Sequence, residues 1–225
     1  MPVRPVAAVQ EDPWIRWDWV SSHTDEIREH LVEHAELTAV ALAIGLLIAV
    51  PLGIAAWRWR ALYPPLLAVM GVVYSIPSLA LLVFLIPWTG LTTTTSEIML
   101  VGYTLLILIR NTVAGLDSVP EDVREAARGM GYSQNRQLLA IELPLALPAI
   151  IAGIRITAVT TIGLVTITAL IGQGGLGRLI YDGLLRDFRT PLVVGTLLVV
   201  VMAVVVDVGL GGVQRLLMPW TRRRA

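Results

Sequence analysis

His30-Leu31-Val32-Glu33-His34 sets two imidazoles about one helical turn apart with a carboxylate beside them. That is the H-x-x-E-H pattern by which some peptidases hold zinc and activate water. Only three positions are specified, and no third ligand or substrate cleft is evident. A solvated helical face is the better account, and a membrane zinc hydrolase built on His30, Glu33 and His34 is the remote alternative. Gly172-Gln173-Gly174-Gly175-Leu176-Gly177 fits G-x-G-x-x-G, which binds dinucleotides only between a strand and a helix. Here it follows a long apolar run, so Gly172, Gly174, Gly175 and Gly177 read as a tight turn or re-entrant loop where backbones approach closely. All seventeen basic residues are arginine, and there is no cysteine. A P-loop lysine, a Schiff base, disulfides and thiolate zinc sites are thereby excluded, as is a lysine-rich nucleic-acid patch. No catalytic group, resident metal or nucleic-acid partner is expected.

The elements that must position these residues are membrane spans. Of the 225 residues 56% are hydrophobic and only 15% charged, too little polar surface to cover a water-facing globule. Crossing ~30 Å of hydrocarbon takes about twenty helical residues. Five runs qualify, at about 37–57, 63–88, 97–116, 145–171 and 191–217. Pro51, Pro77 and Pro148 interrupt three of them, which membranes tolerate where neighbours or a cavity satisfy the freed backbone groups. The second run, broken at Ser75-Ile76-Pro77-Ser78, is expected to be one kinked span, since neither half alone would cross.

Arginine distribution sets the orientation. Arg58, Arg60, Arg110, Arg124, Arg128, Arg136, Arg215, Arg222, Arg223 and Arg224 flank one side, against Arg4, Arg16, Arg28, Arg178, Arg186 and Arg189 on the other. The richer side faces the cytoplasm, so the N-terminus lies outside and the C-terminus inside. Trp57, Trp59, Trp88 and Trp220 fall at span ends, as interfacial aromatics do. The first run lies behind an acidic leader without a basic n-region, unlike a cleavable signal peptide. The chain divides into an extracytoplasmic leader (1–36), a transmembrane domain (37–217) and a basic cytoplasmic tail (218–225). Trp14, Trp17 and Trp19 precede Asp25, Glu26, Glu29, Glu33 and Glu36 in the leader, with Ile27, Leu31 and Val32 interleaved. That pattern predicts an amphipathic helix at the outer surface.

The longest inner loop, 117–144, reads DSVPEDVREAARGMGYSQNRQLLAIELP. Ser118, Pro120 and Glu121 start a helix, on which Val123, Ala126, Ala127 and Met130 share a face. Gly129 and Gly131 allow a turn, and a second helix runs from Gln134 toward Pro144. Small residues at Ala126, Ala127 and Gly131 would admit another protein closely; packing on the chain's own membrane domain is the alternative.

Glu125-Ala126-Ala127, Gly131, Ile141, Leu143 and Pro144 stand at the spacing of the EAA loop of ABC-importer permeases, and the chain resembles that family. The resemblance extends over about 37–217. Tyr74-Ser75-Ile76-Pro77-Ser78, Arg110-Asn111-Thr112, Glu142-Leu143-Pro144-Leu145-Ala146-Leu147-Pro148, Ala152-Gly153-Ile154-Arg155 and Ile171-Gly172-Gln173-Gly174-Gly175-Leu176-Gly177 look like the osmoprotectant branch, which imports glycine betaine, carnitine or choline. The leader departs from the branch. The resemblance implies an all-α type I importer subunit with a cytoplasmic coupling helix, not itself an enzyme. Glu125, Ala126, Ala127, Gly131, Ile141, Leu143 and Pro144 would couple it to a cytoplasmic ATPase dimer that carries the ATP and Mg. A second permease copy or a related permease, an extracytoplasmic solute-binding protein and the lipid bilayer would complete the system in the cytoplasmic membrane. An amino acid or a betaine-like thiol is the alternative cargo, and a scaffold that transports nothing is the alternative class.

Arg155 and Asp207 are ionisable residues inside spans, each about ten residues, or ~15 Å, from the cytoplasmic end. They are expected to form an internal ion pair or to line the pathway. Tyr74, Ser75, Pro77 and Ser78, with the four glycines after the fourth span, are candidate pathway or gate positions. Aromatics within the spans are too sparse for a cation cage.

Overall fold

A computed structural model describes residues 13–218. The first twelve leader residues, and the tail's Trp220, Arg222, Arg223 and Arg224, lie outside the described residues. The described chain is helical throughout. Its elements are α1 (Trp17–Ser22), α2 (Thr24–Arg58), α3 (Tyr63–Ser75), α4 (Ser78–Thr89), α5 (Thr93–Asp117), α6 (Glu121–Gly129), α7 (Gln134–Gln137), α8 (Leu143–Val165), α9 (Leu176–Leu185) and α10 (Arg189–Leu217).

α5 lies at the centre and packs on α2 along one side and α8 along another. Lipid removes the hydrophobic drive between helices, so contact depends on close packing of small residues. α2 supplies them at helical spacing: Thr38, Ala41, Gly45, Ala49, Gly53 and Ala56 are all buried. A Cβ on Gly53 would stand 2.8 Å from both Cβ and Cγ2 of Thr112, and one on Gly45 3.0 Å from Thr104 Cβ. The Thr104 and Thr112 hydroxyls turn back on their own helix, donating to the carbonyls of Val101 (2.7 Å) and Leu108 (2.8 Å). Neither hydroxyl is left unpaired where the two helices touch. Val200, Val201, Val204, Val205 and Val208 give α10 an exposed apolar flank, suited to lipid or another chain rather than water.

Among the described residues four helices are long and apolar enough to cross a membrane: α2, α5, the α7–α8 run and α10. The expected second span differs from a kinked helix. α3 and α4 meet at 94°. Pro77 disfavours the α region in the residue before it, and Ile76 is extended at φ −66°, ψ 130°. Together the two pieces make a fifth, broken span or a re-entrant loop. The Ile76 carbonyl, freed at the break, accepts a hydrogen bond from the Tyr103 hydroxyl of α5.

The leader also differs from expectation. Residues 24–36 do not form a separate surface helix but the N-terminal end of the 35-residue α2, which passes unbroken through position 36. Interleaved apolar residues mark a helical face, but nothing between Glu36 and Leu37 ends a helix: no glycine, no proline and no capping residue. The threonines before α5 cap it, with Thr92 Oγ1 accepting from the Thr95 amide at 3.4 Å.

Candidate functional site

The 117–144 loop folds as a helix, a turn and a second helix. α6 begins after Pro120, with Glu121 and Asp122 in its first turn and Arg128 in its last, charges placed to favour the helix dipole. Gly131, at φ +80°, makes the turn. A single π turn over Leu138–Glu142 then leads into α8, just ahead of Pro144, which has no amide hydrogen to give the ladder.

Within the loop the structure separates residues that the sequence grouped together. Glu125 and Ala126 are exposed, as are Arg128 and Met130, whereas Ala127 is fully buried and Val123 partly so. α6 therefore seats one side on its own domain and turns the other outward. Gly131 is exposed; Ile141, Leu143 and Pro144 are half-buried at the foot of α8.

Sequence reasoning passed over the group that holds α6 in place. Arg124 donates from Nη2 to the Leu116 carbonyl at the end of α5 (2.6 Å). Its Nη1 bonds Glu121 Oε2 (3.1 Å), its Nε lies 3.2 Å from Glu142 Oε1, and its guanidinium sits 5.3 Å above the Trp57 ring at the end of α2. Glu142 is buried, and Gln137 Nε2 donates to the same oxygen at 2.9 Å. Arg124's hydrogen bond above all, with Arg128's, holds the Glu121 carboxyl below the usual carboxylate range. Its contribution is therefore present above that range and lost only as pH falls through the depressed value. Arg58 bonds Gln134 (2.7 Å) and Arg60 pairs with Asp117, around a cleft of about 650 Å³ lined by Trp57, Arg58, Arg60, Arg124, Gln137 and Glu142. Spacing alone signalled only one of these links, the i, i+3 pair of Glu121 and Arg124.

Arg155 and Asp207 come together across α8 and α10. Arg155 Nε donates to Oδ1 at 2.9 Å and Nη2 to Oδ2 at 2.8 Å, the fork geometry arginine forms with a carboxylate. Gln214 Oε1 lies 3.5 Å from Nη1. The pair is a third exposed and opens into a cleft of about 410 Å³.

At the opposite end, Gly172, Gly174 and Gly175 all have positive φ. A Cβ on Gly175 would meet the His34 backbone nitrogen at 2.5 Å, and one on Gly177 the Thr166 Cα at 2.6 Å. The turn after α8 thus lies directly on α2. His34 is fully buried beneath it, with Nε2 3.0 Å from the Ile162 carbonyl. His30 lies 3.7 Å from Glu33 and 3.9 Å from Glu26. Among the described residues no group of three His, Cys, Asp or Glu stands where it could hold a metal, and His34 serves helix packing. Tyr74 stacks obliquely on Tyr103, centroids 5.5 Å apart, and Ser75 Oγ bonds the Val72 carbonyl. Pro77 is exposed and Ser78, partly buried, opens α4. The structure brings Arg155 and Asp207 into direct contact, and Tyr103, which bonds the break, shares a buried cluster with Ile171 beside Gly172.

The broken second span, the helix–turn–helix of the 117–144 loop and the two following spans belong to the type I ABC importer permease fold. The chain superposes on an inward-facing MetNI methionine ABC transporter with a TM-score of 0.75 at 21% identity, covering 90% of this chain and 99% of that one. On an amino acid ABC transporter the TM-score is 0.69 at 18% identity, covering 89% and 98%. The chain belongs to the family of binding-protein-dependent transport system inner membrane components, which matches residues 41–223. It is a multi-pass membrane permease subunit. It is 32% identical to the choline transport system permease protein OpuBB of Bacillus subtilis (strain 168), over 89% of this chain and 93% of that protein. Identity is 37% to the osmoprotectant import permease protein OsmW of Salmonella typhimurium, over 83% and 89%. With the carnitine transport permease protein OpuCB of Listeria monocytogenes it is 36%, over 86% and 88%.

Proposed function

We propose that this subunit forms the membrane pathway for a small osmoprotectant such as choline, glycine betaine or carnitine. One observation carries the reading: relatives whose names give those cargoes are 32–37% identical over more than four fifths of the chain. The chain works with a cytoplasmic ATPase dimer, which holds the ATP and Mg, and with an extracytoplasmic solute-binding protein. A second copy or a related permease completes the pathway. The N-terminus is outside and the C-terminus cytoplasmic, which puts α6 on the ATPase side. There Glu125, Ala126 and Met130 meet the motor, while Ala127 seats the helix from behind and Gly131 frees the turn.

The pathway side is argued from charge. A mid-span ion pair one third exposed is costly against hydrocarbon, so Arg155 and Asp207 face water or a neighbouring subunit. Tyr74, Ser75, Pro77 and Ser78 gate the pathway at the α3–α4 break. Ile141, Leu143 and Pro144 carry motion from the loop into α8. Solute uptake by a strain lacking this chain, across choline, carnitine, betaines and amino acids, tests the cargo. Loss of osmoprotectant uptake with amino acids unaffected is expected; the opposite pattern would remove the assignment.

A further inference from the structure

Arg124 has more partners than helix stability requires. A helix of nine residues exposed on one side needs only its caps and its buried face, yet this guanidinium reaches three other elements. It bonds the last turn of α5 at Leu116, lies on the ring of Trp57 at the end of α2, and meets Glu142 at the foot of α8. Glu142 is buried, and its Oε1 also takes the Gln137 amide. A buried carboxylate is tolerable only when paired. Arg124, whose Nε makes an ion pair at 3.2 Å without a hydrogen bond, brings a positive charge to an oxygen that otherwise has the neutral Gln137 amide. The outward residues Glu125, Ala126 and Met130 sit on the other side of the same helix.

We propose that Arg124 is the positioning residue through which movement of α6 reaches the spans. The Arg124–Glu142 link makes α6 and the foot of α8 one body, braced on α2 and α5. Its grip on α8 enters at the π turn just ahead of that helix, where the helix ladder is interrupted and would bend unless braced. The inference rests on the reading that α6 meets the ATPase.

The test uses the whole transporter, reconstituted in vesicles with its own ATPase and binding protein. Arg124→Gln and Glu142→Gln should each leave the ATPase bound and hydrolysing while solute imported per ATP falls about tenfold, within the range of ordinary coupling energies. The double variant should be no worse than either single one. Arg124→Lys should recover part of the ratio, since an ammonium reaches Glu142 but lacks the fork for Leu116 as well. A fall in uptake and hydrolysis together at constant ratio would overturn the proposal. So would loss of the ATPase in Arg124→Gln, because the residue would then belong to the docking surface.

Glu125→Arg separately tests the docking reading: if it leaves the ATPase bound, that reading fails and not this one alone. A measurement on the otherwise native chain avoids any folding defect at Arg124. The sequence has no cysteine, so in a transporter carrying one labelled copy, spin labels at Asp122→Cys and Leu139→Cys report only the separation of α6 from the π turn that leads into α8. One narrow distance, the same with and without ATP, is expected. A nucleotide-dependent change in that distance would show that the two move independently.

Discussion

A charge in a span constrains its partner more tightly than a charge at a surface does. Arg155 and Asp207 share two hydrogen bonds, so removing one partner strands the other among apolar helices. Arg155→Ala and Asp207→Ala should each sharply reduce uptake or assembled protein, and the double variant should be less harmful than the two losses combined. Strict additivity in uptake and thermal stability would dissolve the pair as a functional unit. Gly175 is constrained differently. Its φ of +48° with ψ −119° suits glycine alone, and a methyl there meets His34. Backbone strain of this kind costs of order 1–3 kcal/mol before any collision. Gly175→Ala should lower the melting temperature in detergent, whereas the same change at Gly163, which has open space around it, should not.

At the scale of the element, the α2–α5 seam decides how closely the spans pack. Gly53→Leu would put a branched side chain where even a lone Cβ comes within 2.8 Å of Thr112, an overpacking that typically costs about 1–3 kcal/mol. Uptake and thermal stability should both fall, while Gly71→Leu on the open side of α3 should leave stability unchanged. Most of the spans were legible in the sequence because apolar runs of membrane length have few alternatives. The right angle at Pro77 was not, since a proline announces a break but not its size; the Ile76 torsions set that. The length of α2 was missed for a related reason. The acidic residues marked a change of solvent, and a helix can cross such a change without ending. In the loop, EAA spacing grouped the exposed Glu125 and Ala126 with the buried Ala127, and the side of α6 that anchors it depends on Leu116, Trp57 and Glu142, which lie 8, 67 and 18 positions from Arg124.

For the whole molecule, the first question is which end faces which compartment. Ser21 and Ser133 are both exposed, before α2 and after α6, and a chain without cysteine provides a clean background for labelling. A membrane-impermeant maleimide should label Ser21→Cys in intact cells and Ser133→Cys only after permeabilisation. The reverse pattern would invert the topology. Division of labour also belongs to this scale: the sequence has no lysine for a P-loop, and under the proposed function energy enters from the ATPase partner at the surface of α6.

The turn at Gly175 rests on α2 at one end of the spans, and Arg124 ties α2, α5 and α8 together at the other. Three helices fastened top and bottom behave as a chassis. Of the remaining spans, α3 and α4 bury a single residue between them, Leu82, whereas α10 is tied to α8 by the Arg155–Asp207 pair and buried near its start at Thr190, Pro191 and Gly195. Amide hydrogens should therefore exchange slowly along the chassis and faster in the α3–α4 elbow. Work delivered at α6 would tilt the chassis as a unit, and the elbow would yield first.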